Sequence, residues 1–207
     1  DMIFYLNFCE LESWLTLDPL GRLREETRIE IEVRPMISSL GNIVNEVKPG
    51  ELDPLSEYKA RRAVARAQAG RRELVRQCER LRINPKQAAR KVDPTMLSLG
   101  LLWMNRSGSG WTEYCRKAFE KTFREDAEVE SRLAVEALIS SVGESCSGFE
   151  DFVVSERLAL HDSSNNLLEQ GLLSAPAFIL EGEIFHGREH LPLISWILKG
   201  REGAPPV

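Results

Sequence analysis

The segments that read as β-strand lie only near the two ends of this 207-residue chain, and the stretch between them carries a helical period. Met2 to Phe8 and Arg28 to Val33 are strand candidates, the second because Ile29, Ile31 and Val33 alternate with charged residues. Near the other end, Ala177 to Leu180 and Ile184 to His186 flank a turn at Glu181-Gly182-Glu183, and Gly187 leads into a closing helix through Leu198. Strands so far apart can share one sheet only if both ends of the chain build it, which makes the middle an insertion. Leu11, Trp14, Leu15, Leu17, Leu20 and Leu23 predict a helix between the first two strands, which Pro19 or Gly21 would kink or end early. That unit fits a parallel, right-handed crossover.

From about Ser56, Ala60, Ala63, Val64, Ala67, Leu74, Val75, Cys78 and Leu81 recur at three- and four-residue steps, with Gly70 as the weak point and Asn84-Pro85 as the break. Asp93-Pro94 starts a helix carrying Met96, Leu97, Leu99 and Leu101, and residues 111–124 and 127–142 predict two more. A further helix follows Gly148 and is capped near Gly171. The fold class is therefore α/β, with residues 1–48 and 147–203 forming one discontinuous domain and 49–146 an inserted all-helical domain.

The net charge of −5 hides a polarity along the chain: twelve Lys or Arg and two Glu fall between Lys59 and Lys91, leaving +10 there and −15 elsewhere. Such a block can line the approach of an anion or simply form the solvated face of a helix. It lacks interleaved aromatics, so no nucleic-acid partner is expected. No apolar run reaches membrane-spanning length, which predicts no membrane partner. Cys9, Cys78, Cys115 and Cys146 lie far apart without a C-x-x-C pair, as free thiols of a cytoplasmic protein do, and dithiol oxidase chemistry lacks its resolving thiol. The three histidines have no metal spacing with the cysteines, so no metal is expected.

The ends carry a family pattern. Gly171-Leu172-Leu173-Ser174-Ala175-Pro176-Ala177-Phe178 and Gly182-Glu183-Ile184-Phe185-His186-Gly187-Arg188-Glu189-His190-Leu191 resemble the family sequences G-V-x-G-V-P-T-F and G-E-x-F-x-G-x-D-R-L. Phe4-Tyr5-Leu6-Asn7-Phe8-Cys9-Glu10-Leu11-Glu12-Ser13-Trp14-Leu15 resembles F-Y-F-D-F-x-S-P-Y-S-Y-L. The chain thus resembles the DsbA-like thioredoxin-fold superfamily, in the branch of 2-hydroxychromene-2-carboxylate isomerase and kappa-class glutathione transferase. The match is close at both ends and holds only in outline through the middle.

This resemblance implies a thioredoxin-like fold with an inserted helical domain, glutathione as cofactor, isomerase or transferase chemistry on a small hydrophobic or aromatic substrate, and a homodimer. It also implies that Ala175 offers its backbone to the glutathione cysteinyl group beside Pro176, whose peptide bond can be cis. Gly187, Arg188 and Glu189 then meet the γ-glutamyl end, and Asn42 and Asn45 stand roughly where the family keeps an asparagine near substrate.

The family's activating serine sits at the start of the first helix, where free amides and the positive dipole end stabilise a thiolate. Glu10 stands at that position here, with Ser13 at the second serine and Cys9 one residue before. Cys9 reads either as a thiol presented by a one-residue shift of the turn or as a small buried residue ending the strand. Ser13 reads either as a donor to a bound thiolate or as an ordinary first-turn residue. Catalytic roles thus fall to Cys9, Glu10 and Ser13. The competing readings are a degenerate family member that binds or regulates, and a monothiol redox protein using Cys9.

Overall fold

The structure, a computed structural model, describes residues 1–37, 54–88, 91–108, 110–125 and 127–206. The positions of Asn42 and Asn45 lie outside them. Four strands form one sheet in the order β2-β1-β3-β4, from β1 (Met2–Leu6), β2 (Ile31–Pro35), β3 (Ala177–Leu180) and β4 (Glu183–His186). β1 and β2 run parallel, with Met2 opposite Ile31, and α1 (Leu11–Thr27) makes the crossover between them. β1 and β3 run antiparallel, with Phe4 opposite Phe178. β3 and β4 close a hairpin through Glu181 and Gly182, both at positive φ (53° and 84°), as a two-residue turn matched to strand twist requires.

The rest is helical among the described residues: α2 (Pro54–Leu81), α3 (Pro85–Ala88), α4 (Thr95–Ser107), α5 (Trp111–Phe123), α6 (Arg132–Ser141), α7 (Phe149–Glu169) and α8 (Leu191–Leu198), the last after a 3₁₀ turn at Arg188–His190. No described helix is long and apolar enough to cross a membrane.

Three local expectations need correction. Pro19 neither kills nor shortens α1, which continues to Thr27. An interior proline costs about 3 kcal/mol. Leu17, Leu20 and Leu23, each buried, return roughly 1.5–3 kcal/mol apiece when the helix stays formed. Because α1 runs on, Arg28 becomes its left-handed closing residue (φ 56°) and the second strand starts at Ile31 instead of Arg28. The helix expected from residue 127 begins only at Arg132. There Ser131 Oγ accepts from the Ala134 amide (3.2 Å), while the Glu128 carboxylate accepts from the amides of Glu130 and Ser131 and so fixes a turn beforehand.

Alternation along the strands divides the core. Met2, Phe4 and Leu6 face the main cluster with Val33, Phe178, Leu180 and Phe185, and the Phe4 and Phe178 rings stack at 5.2 Å. Tyr5 and Ala177 face the other side, toward Leu167 and Leu172 at the end of α7. Trp14 of α1 stacks on Phe119 and Phe123 of α5, both at 6.0 Å, and Phe8 meets Phe119 at 5.1 Å. One continuous apolar cluster therefore holds the sheet, α1 and the helical segment together.

Two helix glycines behave oppositely. A Cβ at Gly100 would stand 2.7 Å from Tyr114 Cζ and Val135 Cγ1, and Tyr114, fully buried, donates to the Leu97 carbonyl (2.9 Å). Gly100→Ala is expected to cost about 1–3 kcal/mol by overpacking. Gly21 faces open space, so Gly21→Ala is expected to raise stability by up to about 1 kcal/mol. Denaturant midpoints of the two variants moving in the same direction would contradict this packing.

Candidate functional site

The site grows from the loop between β1 and α1. Asn7 organises it: its side-chain oxygen accepts from the Cys9 amide (2.9 Å), its carbonyl accepts from the Glu10 amide (3.0 Å), and its own amide donates to Ser13 Oγ (3.1 Å). Ser13 is wholly buried by this arrangement and serves the loop. Its hydroxyl is not offered at the surface, contrary to a donor facing a ligand.

Glu10 is the residue before the first helical turn, with extended backbone (φ −110°, ψ 116°), but its carboxylate caps no amide. The amides of Leu11 and Glu12 therefore have no acceptor among the described residues, and the positive end of α1 stands uncapped. Glu10 keeps contact with solvent. Even so, the crowding around its carboxyl, reinforced by the nearby Glu12 charge, holds its pKa above the ordinary glutamate value.

Cys9 is not presented at the helix start. Its thiol donates to the Val92 carbonyl (2.8 Å), on the segment leading into α4. Burial, and then the Glu10 charge, push its pKa up to about 12. Cys9 is half-buried, and at neutral pH the raised pKa keeps its thiol neutral while its hydrogen bond ties the loop to the helical segment.

The antiparallel register of β1 and β3 pairs Tyr5 with Ala177, so Pro176 and Ala175 lie beside the last residues of β1, one loop away from the start of α1. The Ala175–Pro176 peptide is cis, and the Pro176 carbonyl accepts from the Gly187 amide (2.8 Å). Gly187 adopts φ 84°, ψ 154°, a region open only to glycine, and a Cβ there would collide with the Glu189 carboxylate. Glu189 thus lies over Gly187, exposed.

Arg188, assigned by the resemblance to the γ-glutamyl end, is paired within the protein. Its Nε donates to Glu12 Oε2 at 2.7 Å, and Gln77 of α2, itself buried, donates to the other Glu12 oxygen. Glu12 is therefore the knot of the site, tying α1 to α2 and to the turn after β4. From the sequence alone Glu12 is no more than an acid in the first turn of α1. The signal that could have found the contact is Gln77, a polar residue inside the apolar stripe of Leu74, Cys78 and Leu81. Among the described residues no three His, Cys, Asp or Glu side chains are placed to hold a metal ion.

No family model matches the chain, and no curated protein is similar to it in sequence. Solved structures are. A 2-hydroxychromene-2-carboxylate isomerase structure superposes with a TM-score of 0.63 at 17% identity, over 97% of this chain and 94% of its own. A candidate protein disulfide isomerase from Nitrosomonas europaea gives 0.65 at 12%, over 98% of each chain. A probable DsbA oxidoreductase from Streptomyces coelicolor gives 0.60 at 14%, over 100% of this chain and 92% of its own. At these identities the likeness defines the fold, which is the DsbA-like thioredoxin fold with a helical insertion.

Proposed function

We propose that this protein is a glutathione-dependent isomerase or transferase of the DsbA-like fold, acting on a hydrophobic or aromatic substrate, in which the ligand and not the protein brings the thiol. The observation that carries this reading is the uncapped start of α1 beside the Ala175–Pro176 corner, with the neighbouring protein thiol turned into the Val92 carbonyl. Unsatisfied amides at a positive helix end suit a ligand sulfur anion.

The residues present fit such a ligand. The Ala175 backbone, at a strand entrance, can pair with an extended peptide. The Leu11 and Glu12 amides can hold the sulfur. The Glu10 carboxylate, with its raised proton affinity, can accept the thiol proton at Oε, after which it is neutral and no longer repels the sulfur. Arg188 offsets the second carboxylate, Glu12. When bound, glutathione would supply the nucleophile that adds reversibly to an electrophilic carbon.

A second reading, a non-catalytic binding protein, is favoured by the Glu12–Arg188–Gln77 knot, which engages Arg188 within the protein, while His190 stands where the family pattern has its arginine. Calorimetric titration of the reduced protein with glutathione separates the two. The first reading expects binding that Ala175→Asp weakens at least about tenfold, and a thiolate absorbance on the bound ligand that Glu10→Gln removes. No heat of binding at millimolar glutathione sinks it in favour of the second.

A further inference from the structure

A second feature of α1 lies at its other end. A hollow of about 560 Å³ opens between the C-terminal half of α1, β2 and the first turn of α5, and a smaller one of about 370 Å³ adjoins it, sharing Arg24, Arg28, Ile31 and Trp111. Both volumes fall in the range of small-molecule sites. From Leu11 to Arg24 the helix rises roughly 20 Å, so this hollow is distant from the Glu10 end.

The lining combines two properties. Its floor is apolar, from Leu17 and Leu20 with half-buried Ile31 and Trp111. Its rim carries Arg22, Arg24, Arg28 and Arg116 against Asp18 and Glu25, with Glu30 lining the adjoining hollow. Arg116 is shared between Asp18 (3.6 Å) and Glu113 (3.2 Å), while Arg24 and Arg28 have no ion-pair partner among the described residues. Cations suit the C-terminal end of α1 through its dipole, but that accounts for neither the apolar floor nor the open space over Gly21.

We propose that this hollow binds an aromatic anion, its ring against Trp111 and Ile31 and its phosphate or carboxylate between Arg24 and Arg28. An indole face takes a flat ring, and guanidinium forks take a phosphate or carboxylate in pairs of hydrogen bonds. The site is separate from the glutathione reading and stands without it.

The test is calorimetric titration with 1-naphthyl phosphate, with inorganic phosphate and 1-naphthol as the two halves of the ligand. The aromatic phosphate should bind at least about tenfold more tightly than either half. Arg24→Gln with Arg28→Gln removes the anion contacts. Gly21→Leu fills the hollow from a position where a side chain meets nothing. Each should weaken binding about tenfold with near-ultraviolet circular dichroism unchanged, while Ala175→Asp leaves it intact. The proposal is overturned by absence of binding at about 1 mM. It is equally overturned if inorganic phosphate binds as tightly, or if binding survives Gly21→Leu and is lost in Ala175→Asp.

Discussion

Phe119→Ala is expected to cost about 3–5 kcal/mol, and to do so without splitting the unfolding transition. Phe119 is fully buried on α5, where its ring meets rings from the N-terminal unit and from the insertion: Trp14 at 6.0 Å and Phe8 at 5.1 Å from the former, Phe123 at 6.2 Å from its own helix. Truncation removes the transfer energy of a benzyl group. It also leaves a void that the stacked neighbours cannot readily close, because Trp14 is held in place by Phe123 and by the Arg124 guanidinium over its ring at 5.2 Å. Since Phe8, Trp14 and Phe119 belong to one apolar cluster with the sheet residues Phe4 and Phe178, the loss should be felt by sheet and insertion together. Guanidinium unfolding followed by far-ultraviolet circular dichroism and by tryptophan fluorescence would give coincident, shifted curves. Separate transitions, with the sheet retained while the helices melt, would show that the shared cluster does not couple the two.

What could be read from the sequence was what depends on near neighbours. The β3–β4 hairpin announced itself by two short apolar runs around Glu181-Gly182, and the Ala175–Pro176 corner by its place before the first of them. α2 was legible because its stripe repeats for seven turns. Failures came where a distant partner decided the outcome. Pro19 obeys the local rule against helix interiors, yet packing of Leu17, Leu20 and Leu23 against the sheet and α5 overrides it. Cys9 was left between nucleophile and buried residue because its partner, the Val92 carbonyl, is 83 residues away and is a backbone atom that no side-chain pattern marks. Glu12 looked ordinary because Arg188 stands 176 residues further along. The start of α1 was therefore legible as a candidate, whereas the groups that stand beside it were not.

Cys9 in the native protein should react with iodoacetamide on the order of a thousandfold more slowly than an ordinary cysteine at neutral pH. Only the thiolate attacks, and a thiol with its pKa lifted to about 12 holds correspondingly less of it than one at about 8.5. The same shift links to stability. In the unfolded chain the thiol ionises near pH 8.5, but in the folded protein it keeps its proton until about 12. Across that window the unfolded state binds fewer protons, so stability is intact below it and falls as pH rises, by up to about 1.4 kcal/mol per pH unit for each such thiol. Cys115, wholly buried, has its pKa raised by burial in the same direction, and tyrosines and lysines also titrate there. The contribution of Cys9 is therefore read as the difference between the protein and its Cys9→Ala variant, whose alkaline decline should be shallower. Peptide mapping after brief alkylation supplies the first number and paired denaturation curves the second. Rapid labelling at Cys9 together with identical alkaline slopes would mean that its sulfur leaves Val92 readily, and would return the thiol to the start of α1 as a monothiol redox group.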